Sequence, residues 1–158
     1  MEKTPTIIVD TSNILFQNTS RIARVNNYYL LKQALEKKLP DAVIYYLTDA
    51  STRYKVDDKK AFERICAAGE IIQTPAGEPA DHYLLTFAEM TPDCLIISCD
   101  RFKDHKIIKD LSDRVIPAII IGSKVIFSIR LDAFCKDKKT TFQHLNKDRR
   151  FLLEFHFT

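Results

Sequence analysis

The sequence predicts an α/β domain with a mostly parallel central sheet. Strand-like apolar runs alternate with helical apolar stripes along most of the chain. Two of those runs end on an aspartate that opens a polar motif. They are Ile7-Ile8-Val9-Asp10-Thr11-Ser12-Asn13 and Leu95-Ile96-Ile97-Ser98-Cys99-Asp100-Arg101-Phe102-Lys103-Asp104. In an open parallel sheet, ligands bind outside the carboxyl ends of the strands, where strand order reverses. If these two strands are neighbours, several carboxylates converge there.

Thr6–Asp10 reads as a buried strand. Val25–Lys38 reads as a helix whose apolar stripe includes Tyr29, Leu30 and Leu35, stopped by Leu39-Pro40. Residues 42–48 form a second strand, and residues 57–68 a helix with Gly69 as its C-cap. Residues 70–73 are a short third strand. A loop through Gly77 leads to a helix that starts at Pro79, a residue suited to a first turn, and runs to Met90. Residues 93–98 are the fourth strand and 104–111 a short helix. Residues 115–121 are a fifth strand, turning at Gly122-Ser123 into 124–129 to complete a hairpin.

The 158 residues suffice for one domain with a substantial core. Only three glycines occur, Gly69, Gly77 and Gly122, so neither a dinucleotide fingerprint nor a Walker loop is present. The four cysteines, Cys66, Cys94, Cys99 and Cys135, form no C-x-x-C pair. This argues against a zinc site and for reduced thiols in a cytoplasmic protein. No signal peptide is visible, and the longest apolar run, residues 115–121, contains Pro117 and is too short to span a bilayer. The net charge of +3 permits a nucleic-acid partner without requiring one. After Arg130 the chain carries six basic residues, Lys136, Lys138, Lys139, Lys147, Arg149 and Arg150, and then an apolar run from Phe151 to Phe157. Such a run is expected to dock on the domain. The organisation is therefore a domain over residues 1–130 and a basic extension over 131–158, packed on it.

Asp10 is the first candidate site residue. It follows an apolar strand, where a carboxylate is better placed for a ligand than for packing; the competing reading is a cap of the turn beside it. Asn13 is suited to bonding Asp10, a phosphate or a water, or to an ordinary Asx cap. Ser12 reads as structural. Asp100 repeats the logic of Asp10, and Asp104, four residues on, falls on the same side if a helix begins there. The alternative for Asp104 is a carboxylate favoured by a helix N-terminus. Glu78 and Asp81 flank a helix start, where acidic residues are common anyway; Asp81 is the better functional candidate. Converging carboxylates repel, and a divalent cation or a shared proton resolves this. Hard oxygen donors select magnesium or manganese. None of the four histidines falls in a nucleophile motif. Ser12 also stands where a phosphotransferase with an aspartyl nucleophile would carry a second aspartate, which argues against that class.

Two stretches carry a family resemblance. Val9-Asp10-Thr11-Ser12-Asn13 resembles the N-terminal signature of NYN/PIN-like ribonucleases. Ile97 to Asp104 is similar to the regnase-type (CCCH-finger ribonuclease) branch, which reads Ser-Asn-Asp-x-aromatic-basic-Asp there. The resemblance covers Thr6 to Arg130. It implies a PIN-like (NYN) three-layer fold with strand order 3-2-1-4-5 plus a C-terminal hairpin. It implies a magnesium- or manganese-dependent endoribonuclease leaving 5′-phosphate and 3′-hydroxyl ends. Carried over by position, Asp10, Asp81, Asp100 and Asp104 form the metal site, with Asn13 assisting Asp10. Arg101, Lys103 and Lys106 lie beside the site, where they would hold the RNA backbone; the competing reading of each basic residue, and for most of them singly the better one, is a solvated surface charge. Arg21, Arg24, Arg53 and Lys55 lie on candidate loops near the sheet's carboxyl end, and Tyr54 is available to stack a base of single-stranded or looped RNA. A homodimer is compatible with this reading. The chain departs from the branch in three ways: Asp81-His82 stands where two aspartates are usual, Cys99 replaces asparagine, and no zinc finger is attached. The first departure raises two options, that Glu78 or His82 supplies the missing ligand, or that the domain binds RNA or protein without cutting.

Overall fold

The computed structural model describes residues 4–19, 21–100, 102, 109–128 and 130–131. The elements, in order, are β1 (Thr6–Asp10), α1 (Thr11–Leu15), α2 (Val25–Lys38), β2 (Val43–Thr48), a 3-10 turn (Ala50–Tyr54), α3 (Lys59–Ala67) and β3 (Ile71–Gln73). They continue with α4 (Ala80–Met90), β4 (Cys94–Ile97), α5 (Lys109–Arg114), β5 (Val115–Ile116), β6 (Ala118–Ile121) and β7 (Lys124–Phe127).

Five strands form one parallel sheet in the order β3-β2-β1-β4-β5, as the resemblance implied. β1 and β4 are central neighbours, with Ile8 opposite Ile96 and Val9 opposite Ile97. Both are buried on both faces, which is why each reads as a continuous apolar run. On one face Ile7, Val9, Tyr46, Ile71, Leu95 and Ile97 pack against the inner sides of α2 and α3. On the other, Ile8, Leu47, Cys94 and Ile96 pack against Ala80, Leu84 and Ala88 of α4. The result is three layers, with β6 and β7 as a separate antiparallel hairpin.

Several element boundaries differ from expectation. The buried stripe of α2 is Val25, Tyr28, Leu31 and Leu35, while Tyr29 is exposed and Leu30 only half-buried. The strand expected over 115–121 is two strands, because Pro117 has no N–H to donate and breaks the ladder between sheet and hairpin. α5 runs to Arg114 rather than stopping at Leu111. α1 and the 3-10 turn were not anticipated. Residues 132–158, and with them the tail and its expected docking, lie outside the described residues.

Candidate active site

Parallel pairing of β1 with β4 sets Asp10 and Ser98 side by side at the carboxyl edge of the sheet. Ser98, fully buried, donates its hydroxyl to Asp10 Oδ2 at 2.8 Å and accepts the Asp100 N–H at 3.0 Å. The Asn13 N–H donates to Asp10 Oδ1 at 3.3 Å, so Asp10 also caps α1. The cap reading and the site reading are thus compatible. The Asn13 side chain does not reach for Asp10. Its Oδ1 accepts the Cys99 N–H at 3.0 Å and ties the β1 motif to the loop after β4.

Asp10 is only 3% exposed. Burial raises its pKa most, the Ser98 and Asn13 hydrogen bonds oppose the rise, and the charges of Asp81 and Asp100 add to it; the result is about 7. Two of the other expected carboxylates, Asp81 and Asp100, thus lie close enough to act on Asp10. Asp81 lies in the first turn of α4, whose N-cap position, Pro79, offers no side-chain cap. Asp49 supplies it from the end of β2: its Oδ1 accepts the Ala80 N–H at 2.7 Å. The Asp49 N–H in turn donates to Ser12 Oγ at 2.9 Å, and Ser12 shares a 2.8 Å hydrogen bond with Thr48. Ser12 is structural, as expected, and it fixes Asp49.

Asp100 is exposed and closes a turn, with the Phe102 N–H donating to its Oδ1 at 2.9 Å. Phe102 takes a left-handed backbone (φ 48°) and buries its ring in the α4-side core, which anchors the loop. Glu78 is exposed and its carboxylate accepts the Tyr83 hydroxyl. His82 is exposed with its ring edge against Tyr83. Arg101, Lys103, Asp104, His105 and Lys106 lie outside the described residues.

Ser98 and Asp49 escaped the sequence reading. Asp49 had a signal of the same kind as Asp10 and Asp100, since Tyr46-Leu47-Thr48 also ends on an aspartate. Ser98 had one too, as the first residue of the Ser-x-Asp stretch that resembles the ribonuclease motif.

Among the described residues, no three His, Cys, Asp or Glu side chains converge closely enough to hold an ion by themselves. The donor chemistry nevertheless fits a hard divalent cation. Asp10 is a buried carboxylate whose pKa is raised by burial and, less, by the charges of Asp81 and Asp100. Among the described residues no lysine or arginine ion-pairs with it. Magnesium needs few protein carboxylates because it keeps several waters.

A sequence profile of the Zc3h12a-like ribonuclease NYN domain family matches residues 3–149. No curated protein sequence matches the chain. Among solved structures, nuclear proteinaceous RNase P 2 (PRORP2) from A. thaliana is similar with a TM-score of 0.63 at 17% identity. That match covers 77% of this chain, but the chain spans only 29% of the PRORP2 chain. The PIN domain endonuclease Utp24 is also matched, at 17% identity and a TM-score of 0.38, over 76% of this chain and 88% of that one. At such identity the structural likeness concerns the fold alone. The profile covers nearly the whole chain, and the chain belongs to the Zc3h12a-like ribonuclease NYN domain family.

Proposed function

We propose that this domain is a metal-dependent endoribonuclease that hydrolyses RNA phosphodiester bonds, with Asp10, Asp81, Asp100 and Asp104 as the ligands of magnesium or manganese. The observation that carries the reading is Asp10: buried, raised to about 7, and under the charge of Asp81 and Asp100 at the carboxyl edge of the sheet. When bound, the cation supplies a water activated for attack and neutralises charge on the phosphoryl group. The protein's own part is positional. Ser98 and the Asn13 N–H orient the Asp10 carboxylate, Asp49 sets the start of α4 and so Asp81, and Phe102 anchors the loop that carries Asp100. Arg101, Lys103 and Lys106 are proposed to hold the RNA backbone beside the site. Residues 1–130 are proposed as the nuclease domain and 131–158 as a basic extension packed on it. The free thiols of Cys66, Cys94 and Cys99 suit a cytoplasmic setting.

A second reading, a weak or inactive RNA- or protein-binding module, draws on Asp81-His82, where the resembled branch carries two aspartates. End-labelled single-stranded and hairpin RNA, incubated with manganese or with a chelator, separates the two. Metal-dependent cutting that disappears in Asp100→Asn supports the nuclease. Intact RNA under every metal condition, with binding retained, favours the module.

A further inference from the structure

The loop before α2 and the 3-10 turn after β2 are joined at one point. The Ala23 N–H donates to the Lys55 carbonyl at 2.8 Å, and the Asp57 N–H donates to the Ala23 carbonyl at 2.9 Å. This makes a single parallel bridge between Ala23 and Val56. Ala23 is buried and Val56 half-buried, while Ile22, Arg24 and Lys55 beside them in the chain are exposed. Tyr54, immediately before Lys55, is 77% exposed, and Ile22 is 52% exposed. Lone exposed apolar residues need no explanation. Here, however, they stand among cations. The Arg53 guanidinium lies 5.7 Å from the Tyr54 ring centre, and Arg21, Arg24 and Lys55 are all exposed.

Arg53 also pairs with Glu63, Nη2 to Oε1 at 3.7 Å, and two further acidic groups beside the patch serve backbone donors. Asp57 Oδ1 accepts the Val25 N–H at 2.9 Å, Asp58 Oδ1 accepts the Ala61 N–H at 3.0 Å, and each serves a helix N-terminus. The patch is also wired to the site. Thr52 in the 3-10 turn accepts the Thr48 hydroxyl at 3.0 Å, and Thr48 shares a hydrogen bond with Ser12, two residues after Asp10.

We propose that Tyr54, with the Arg53 guanidinium over one face of its ring, is a stacking platform for an unpaired RNA base, and that Arg21, Arg24 and Lys55 hold the phosphates on either side. The occupant is single-stranded RNA, because a ring open to solvent offers its face to a base that is free of a helix, and paired bases are already stacked. The inference rests on the nuclease reading for its substrate and extends that reading to a second contact surface. It makes the domain a single-strand reader away from the scissile bond.

The test uses Asp10→Asn protein, which keeps the RNA intact, and a short RNA carrying a fluorescent adenine analogue that is quenched by stacking. Binding is expected to quench the analogue. Adding Tyr54→Ala is expected to remove the quench and weaken single-strand binding about tenfold, a typical loss for one stacked base. Tyr54→Phe keeps both, and binding of a duplex of the same sequence stays unchanged. Arg24→Ala and Lys55→Ala are expected to weaken binding and flatten its salt dependence. Unchanged single-strand affinity in Tyr54→Ala, or an equal loss for single strand and duplex, overturns the platform. Parent protein that cuts RNA as well with Tyr54→Ala, and without a quench, sinks the platform alone. A Tyr54-dependent quench without cutting under any metal sinks the nuclease reading alone.

Discussion

Ser98 serves two residues of the site with one hydroxyl, donating to Asp10 and accepting from the Asp100 backbone. Removing it leaves a buried carboxylate with one hydrogen bond fewer. Ser98→Ala is expected to cost about 1–2 kcal/mol in urea unfolding. It should also move the acidic limb of the pH–rate profile upward, because the lost bond was lowering the Asp10 pKa. Asp10 carries a cost in the metal-free protein. Its pKa stands at about 7 in the fold, against 3.8 for the unperturbed group. Between those values the folded state holds a proton that the unfolded chain has lost. Metal-free stability therefore falls as pH rises from about 4 to about 7, by at most about 4 kcal/mol. Asp10→Asn is expected to abolish cleavage and yet to raise the melting temperature of the metal-free protein at pH 8, with little effect at pH 4. A variant that melts lower at pH 8 than its parent would show that the buried charge is not costly.

At the scale of elements, α4 depends on groups it does not contain. Its N-terminus is capped by Asp49 from β2. At its other end the buried Arg114 donates to the carbonyls of Ala88 and Thr91, the last turn of the helix. Asp49→Ala is expected to lower stability by about 1 kcal/mol and to reduce cleavage by a larger factor than that loss explains, since Asp81 sits in the freed turn. Cleavage measured well below the melting temperature separates the two effects. Arg114→Met is expected to cost about 2–4 kcal/mol, because several carbonyls lose a charged donor inside the protein. Equilibrium unfolding reads it directly. Gln17 plays a similar part for the hairpin. Its amide donates to the Ala118 carbonyl and accepts the Ile120 N–H at 2.8 Å, as a neighbouring strand would, while Cys99 donates its thiol to the same Ala118 carbonyl at 3.1 Å. The open edge of β6 is thereby occupied, and the loop of Asp100 is tied to it.

For the whole molecule, the proposed cation and the Asp10 proton compete for one site. Manganese should raise the melting temperature of the parent protein at pH 8 and much less at pH 5.5, and should leave Asp10→Asn nearly unmoved. Calorimetric titration in two buffers of different ionisation enthalpy near pH 6.5 should detect a proton released on binding. A shift independent of pH would mean that the cation binds elsewhere.

The alternation of apolar runs and the aspartates that end two of them were legible in the linear sequence, because strand burial and strand ends leave a local pattern. The helix Val25–Lys38 and the strand Thr6–Asp10 could be bounded correctly from the chain alone for that reason. The order of strands entered through resemblance, not through periodicity. Other features depended on the assembled fold. Asp49 became a cap for α4 only when β2 and α4 met, a separation of 31 residues that leaves no local trace. Ser98 became the partner of Asp10 only through the pairing of β1 with β4. The sequence supplies the carboxylates. The raised pKa of Asp10 exists only because folding buries that carboxylate away from water and, as a smaller effect, brings the charges of Asp81 and Asp100 near it.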